Sequence, residues 1–269
     1  MNLTGPPPAP AGIDVTRPHP ARMYDYYLGG QNNWLSDRHA AEQILAAFPE
    51  ARAIARANRA FLHRAVHYLA GEQGITQFLD IGTGIPTVPN VHQTAAEHAE
   101  NTRVAYVDND PVVNAHANAL LTGAGATKVI LADLRDPAGI IKQASTFLDF
   151  TRPVALLLVA ILHFIPDAED PAAIVATLRD ALPPGSFLAL SHGTADFHPA
   201  GATATAKSAY DTATAPLVLR PRPAIEGFLS GFTVKPPGLV QAPLWHPDTQ
   251  PKPKDLKKIG LYAAVAAKS

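Results

Sequence analysis

From residue 77 onward the chain alternates short apolar runs with helical segments, and few folds accept that alternation. Strands that enter and leave through helices pair in parallel and are covered on both faces. The runs fall at 77–81, 103–107, 128–132, 154–159 and 187–191, and the helical stretches between them at 88–100, 111–121, 137–143 and 171–182. Pro111 and Pro171 suit first-turn positions, where a missing N–H leaves no bond unmade. Past residue 191 the text turns Ala/Thr/Pro-rich, with a helix expected over 201–214, a short one over 223–230, and late strands over 232–234 and 260–266. Two strands with no crossover helix between them predict an antiparallel hairpin completing a seven-stranded, mostly parallel α/β sheet.

Upstream, the proline-rich residues 1–16 read as a flexible tail, because they carry too little apolar surface to offset ordering. Residues 17–74 read as an N-terminal helical extension. Ser36 or Asp37 can cap a helix that Pro49 ends, and a longer one is expected over 50–70. Its Ile54, Phe61, Leu62, Ala65, Val66 and Leu69 recur at helical spacing, with Arg52, Arg56, Arg59 and Arg64 off that face. Residues 75–269 form the core, one domain with the extension and without internal repeats.

The bulk numbers narrow the partners. A chain of 269 residues, 47% hydrophobic and 17% charged, can bury a full α/β core. A net charge of -1 without long runs of one sign gives no nucleic-acid footprint and no membrane-surface patch, which leaves small molecules. With no cysteine there is no disulfide, thiolate nucleophile or Cys-based zinc site, and the histidines show no metal-ligand spacing. The opening has no basic-then-apolar leader pattern and no run has spanning length, so a cytoplasmic location is expected.

The ligand signal sits at the strand ends, where open α/β sheets bind. In Phe78-Leu79-Asp80-Ile81-Gly82-Thr83-Gly84 an acid closes a buried strand, and two glycines let a ligand approach the backbone. Asp108 closes the next strand and can accept two hydrogen bonds from a ribose diol. Asp133 follows the third and can accept from an adenine amino group, with Leu134 packing on the ring. Each acid alone could be a helix cap or turn residue; three at successive strand ends are far more specific. A nicotinamide dinucleotide fits less well. The position of a third glycine is Thr87, and the Asp80 carboxylate would oppose a pyrophosphate seated at the helix N-terminus. A ligand bearing an ammonium group and no phosphate suits that acid.

On these residues the chain resembles a family of S-adenosyl methyltransferases. The opening of that family appears here as Arg17-Pro18-His19-Pro20-Ala21-Arg22-Met23-Tyr24-Asp25-Tyr26-Tyr27-Leu28-Gly29-Gly30, then Asn58-Arg59-Ala60-Phe61. The core appears as Gln77-Phe78-Leu79-Asp80-Ile81-Gly82-Thr83-Gly84-Ile85-Pro86-Thr87, then Tyr106-Val107-Asp108-Asn109-Asp110-Pro111, then Leu162-His163-Phe164. The resemblance covers nearly everything after the tail. It implies the class-I, Rossmann-like methyltransferase fold and S-adenosylmethionine (SAM) as cofactor, held by Asp80, Gly82, Gly84, Asp108, Asn109 and Asp133, and it implies no acceptor.

For the acceptor side the residues leave alternatives open. Methyl transfer needs alignment of the nucleophile above all, and a base only where the acceptor is a hydroxyl. His163 after the fourth strand and His192 after the fifth are the candidates for such a base. Either can equally be a hydrogen-bonded wall residue. Residues 22–33 read as a lid hinged at Gly29-Gly30, with Arg22 pairing the methionine carboxylate, or as a helix packed outside the sheet. A SAM-binding sensor without catalysis is the reading from a different class, and an NAD-dependent oxidoreductase the remaining one.

Overall fold

The computed structural model describes residues 14–121, 126–199, 208, 210 and 213–269. The tail up to residue 13 and most of the helix expected over 201–214 lie outside the described residues. The end of the tail is tied down, since the Ser36 hydroxyl donates to the Val15 carbonyl at 2.6 Å.

The sheet follows the alternation. Strands β1 (Gln77–Ile81), β2 (Arg103–Asp108), β3 (Thr127–Leu131), β4 (Ala155–Val159) and β5 (Phe187–Gly193) pair in parallel in the order 3-2-1-4-5. The reversal of order at β1 and β4 opens a crevice at their carboxyl ends. β8 (Leu261–Ala267) runs antiparallel beside β5, in register from Phe187 opposite Ala267 to Gly193 opposite Leu261.

One expectation is corrected at the far edge. In place of a single sixth strand the sheet has two short ones, β6 (Thr233–Val234) and β7 (Val240–Gln241), both pairing β8, so the strands number eight. The intervening Lys235-Pro236-Pro237-Gly238-Leu239 explains the break, because proline has no N–H to donate to a ladder.

Along β1 the side chains alternate. Leu79 and Ile81 pack toward α6 (Pro137–Ala144) and α7 (Pro171–Ala181), and Phe78 packs toward α3 (Ala51–His67), α4 (Val91–Ala96) and α5 (Pro111–Leu121). Both faces are thus buried, and truncating one of these Leu or Ile side chains to Ala should cost about 2–5 kcal/mol.

A third apolar cluster lies off the sheet. It joins α1 (Pro20–Leu28), α2 (Leu35–Ala47) and the start of α3 with Phe164 and Tyr210. Asp37 does not cap α2 from outside. Trp34 holds the cap position, and Asp37 in the first turn accepts the backbone N–H groups of Trp34 and His19, each at 2.9 Å. Gly29-Gly30 closes α1. Gly29 adopts φ 87°, Gly30 donates back to the Asp25 carbonyl at 2.9 Å, and the Asp25 carboxylate accepts from Asn32 N–H and the Asn33 amide. A β-carbon on Gly30 would collide with that carboxylate, so the second glycine is a packing requirement.

Candidate active site

A cavity of about 540 Å³ opens at the carboxyl ends of the strands, under α1 and α3. Its floor is the turn after β1. Gly82 and Thr83 donate to the Val107 carbonyl, and Gly84 N–H donates to Asp108 at 2.9 Å, so the turn is strapped to the end of β2. Gly82 has φ 76°, and a β-carbon there would run into the Ile161 side chain; Gly84 has φ 65°. Both positions therefore require glycine.

The acids occupy this floor in graded environments. Asp80 and Asp108 are buried, and burial pushes each carboxyl up to about 6. The Thr83 hydroxyl and the Arg59 guanidinium counteract part of the rise at Asp80, and the Asp110 and Gly84 N–H groups part of it at Asp108. A carboxylate has about four acceptor directions, so both keep lone pairs for a ligand. Asp133 stands at the half-open rim. Burial would raise its carboxyl, but the Arg135 backbone N–H, the Asn109 amide and the Arg135 guanidinium outweigh that and hold it below its usual range. Leu134 lies buried on the same wall.

Arg22 lines the cavity from α1. It is buried between Asp37, at 3.5 Å, and Asp110, at 3.4 Å, with a further bond to the Arg17 carbonyl. A third carboxylate there would meet two like charges. The cation on the β1 side of the cavity is Arg59, which grips the Thr87 and Pro89 carbonyls and is felt by Asp80, while its Nε is buried without a partner. In sequence Arg59 stands with Arg52, Arg56 and Arg64 off the apolar face of its helix. Only the fold of the loop after β1 shows that Arg59 lies under it.

The histidines separate. His192 is outside the cavity lining and has both ring nitrogens engaged, Nδ1 on the Gly193 carbonyl at 2.7 Å and Nε2 on Arg220 at 3.0 Å. Burial brings its ring down to about 4. It belongs to the clamp in which buried Arg220 also holds Asp167 and the Leu162 and Ile165 carbonyls, fixing the loop after β4. His163 does line the cavity, but its Nδ1 accepts the Gly193 N–H at 3.1 Å, so the neutral ring carries its proton on Nε2. Burial, with His192 and Arg220 beside it, holds the ring well below its ordinary value. A ring so held offers a donor to the cavity and no lone pair to a departing proton.

The sequence reading also missed a network at the ends of β4 and β5. Ser191 Oγ accepts from Ala160 N–H at 2.9 Å and donates to Asn58 at 2.5 Å; the Asn58 amide donates to Tyr24, which donates to the Ala55 carbonyl. Ala160 sits there in the left-handed region, with φ 58°. Non-glycine strain of that kind persists only where the surroundings enforce it, and it collects at functional sites. Among the described residues no group of histidines and acids could hold a metal ion, and no helix is long and apolar enough to cross a membrane.

Comparison with known proteins agrees with this geometry. A family model described as S-adenosyl methyltransferase matches residues 7–269. The crystal structure of a DUF574 family protein from Streptomyces avermitilis MA-4680 is 41% identical, covering 96% of this chain and 100% of its own, with a TM-score of 0.90. That of a candidate methyltransferase from Thermobifida fusca YX is 36% identical, covering 97% and 98%, with a TM-score of 0.89. The N-methyltransferase NodS from Bradyrhizobium japonicum WM9, in complex with S-adenosyl-L-homocysteine (SAH), shares the fold at 13% identity and a TM-score of 0.52, covering 92% and 98%. No curated protein matches the chain.

Proposed function

The chain belongs to the S-adenosyl methyltransferase family and is a SAM-dependent methyltransferase; we propose that it transfers the methyl group to the oxygen or nitrogen of a small molecule, with the cofactor lying across the ends of β1, β2 and β3. The observation that carries this reading is that Arg59, Asp80, Asp108 and Asp133 line one cavity, with the Arg59 charge felt at Asp80. A zwitterionic amino acid tail needs one charge of each sign, and a nucleoside needs acceptors for its diol and amino group. Arg59, which lines the cavity, would take the carboxylate in a charge-assisted bond, and Asp80 the ammonium. Asp108 would accept from the ribose hydroxyls, and Asp133 from the adenine amino group against Leu134. Gly82 and Gly84 would keep the backbone clear, and Asn109 would steady Asp133.

The bound cofactor supplies an activated methyl on a positive sulfur. The chain's residues supply position: the Ser191–Asn58–Tyr24 network fixes the floor beside β4, and α1 with residues 17–74 covers the site and excludes water. A non-catalytic sensor would have no use for the part of the cavity that extends past the cofactor residues to α2 and α3, which favours an enzyme.

Calorimetric titration with SAH and with NAD tests the assignment. SAH is expected to bind and NAD not to, since its pyrophosphate would face Asp80. Equal or tighter NAD binding would overturn it.

A further inference from the structure

The charged lining of the cavity is segregated. Arg59, Asp80, Asp108, Asp133 and Arg135 stand at the strand ends, His19, Arg22 and Asp110 form one buried cluster beside β2, and Asp14 is at the exposed mouth. The rest of the cavity is a lobe walled by the third apolar cluster, with Ile44, Phe48, Ala51, Phe164, Tyr210 and Leu217 among its lining. Its aromatic rings follow one another from the methyl-transfer side inward. His163 meets Phe164 with ring centres at 4.5 Å, Phe164 meets Tyr210 at 5.6 Å, and across the lobe Phe48 meets His198 edge-on at 5.0 Å.

Among the described residues of this lobe the titratable side chains favour their uncharged forms. Burial raises the hydroxyls of Tyr27 and Tyr210, that of Tyr210 to about 12, and burial lowers the ring of His198. An ion entering would lose its water with no opposite charge among the described lining residues of the lobe to replace it. A flat uncharged ring would instead find aromatic faces and edges at the spacings such pairs prefer. His198 adds only the edge it turns to Phe48, because its Nε2 is buried against the Gly260 backbone.

Resting on the methyltransferase reading above, we infer that the acceptor is an uncharged aromatic small molecule, bound between Phe48 and Phe164. Carboxylates, phosphates and aliphatic amines are excluded from this lobe by the absence of a counter-charge in its described wall.

The test is binding, read by ligand fluorescence and calorimetry on the full chain saturated with SAH, with 2-naphthol, its carboxylate counterpart 2-naphthoate, and the saturated 2-decalol. 2-Naphthol is expected to bind at least tenfold more tightly than 2-naphthoate and at least threefold more tightly than 2-decalol. Ala51→Phe, which fills the lobe from α3, should weaken 2-naphthol at least tenfold and leave SAH within twofold. If that variant does not fold, Phe164→Leu replaces it, with a loss of about threefold expected. SAH binding with 2-naphthoate equal or tighter, or with no 2-naphthol binding, overturns the inference and leaves the methyltransferase reading standing. Failure of SAH itself to bind overturns both.

Discussion

The two halves of the cavity are built on opposite principles. The strand-end half is polar and made from turns, with each working group pinned by backbone hydrogen bonds: Asp108 by Gly84 and Asp110, Asp133 by Arg135, and the glycine turn by Val107. The helical half is apolar and made from side chains that distant segments bring together, α1 to α3 on one side and Phe164, Tyr210 and Leu217 on the other. The first half recognises a ligand by charge and hydrogen-bond direction, and the second by shape and by refusing ions. If the two are independent, changes in one should not be felt in the other.

The largest effect should come from Asp108→Ala. It removes the proposed ribose acceptor together with the anchor of Gly84 N–H, and SAH affinity should fall by about 1–3 kcal/mol in a calorimetric titration. An unchanged affinity would place the ribose elsewhere. Arg59→Met should follow at about 1.5–3 kcal/mol, the range for hydrogen bonds to charged groups. Arg22→Met, by contrast, should lower thermal stability, because it strands Asp37 and Asp110 as buried unpaired acids. A larger loss of SAH affinity with Arg22→Met than with Arg59→Met would restore Arg22 to the carboxylate.

Acidity should divide the halves too. Folding lifts Asp80 and Asp108 from 3.8 to about 6, so the folded protein without ligand binds protons more readily than the unfolded chain, and these two acids make it less stable as pH rises from about 4 to 6. An ammonium and a ribose diol favour the ionised carboxylates, so SAH affinity should rise over the same window. Between pH 7.5 and 5 it should drop about tenfold or more, since at pH 5 a group of pKa near 6 is about nine-tenths protonated. Binding of 2-naphthol in the lobe should change less than threefold over that range. A parallel drop in both would show that the halves are coupled.

This difference in construction also decides what the sequence could tell. Asp80, Asp108 and Asp133 were legible because an acid at the end of a buried strand has little to gain from packing, and two glycines in the turn mark a close approach. That β1 to β5 pair in parallel was legible from the alternation alone. The lobe was not, because Ile54 and Ala55 on α3 obey the same helical period as the true core residues Phe61 and Ala65. Periodicity reports burial and does not say whether the neighbour is a protein atom or a ligand. Arg59 was hidden for the converse reason, as a charge off the apolar face of its helix until the loop after β1 is placed over it. β7 escaped because two residues carry no measurable period.

The smallest effect is expected at His163, which sits where the two halves meet. As a base it would have to release Nδ1 from the Gly193 N–H or take a second proton, and burial opposes the charged ring in either case. As a wall it only needs to accept that N–H and present a donor to the cavity, which a glutamine can also do. His163→Gln should therefore change thermal stability by less than about 1 kcal/mol, the usual worth of a single hydrogen bond. SAH affinity should stay within twofold, and methyl transfer to an aromatic acceptor within about tenfold. His163→Leu keeps the bulk but leaves the Gly193 N–H buried and unpaired, and should cost about 1–3 kcal/mol of stability. A Gln variant that kept SAH affinity but lost about 100-fold or more in maximal rate, within the range for removing a general base, would reinstate His163 as one. Should Gln and Leu prove equally benign, the Gly193 contact would be incidental, and the position of the ring would depend on its packing against Phe164 and His192.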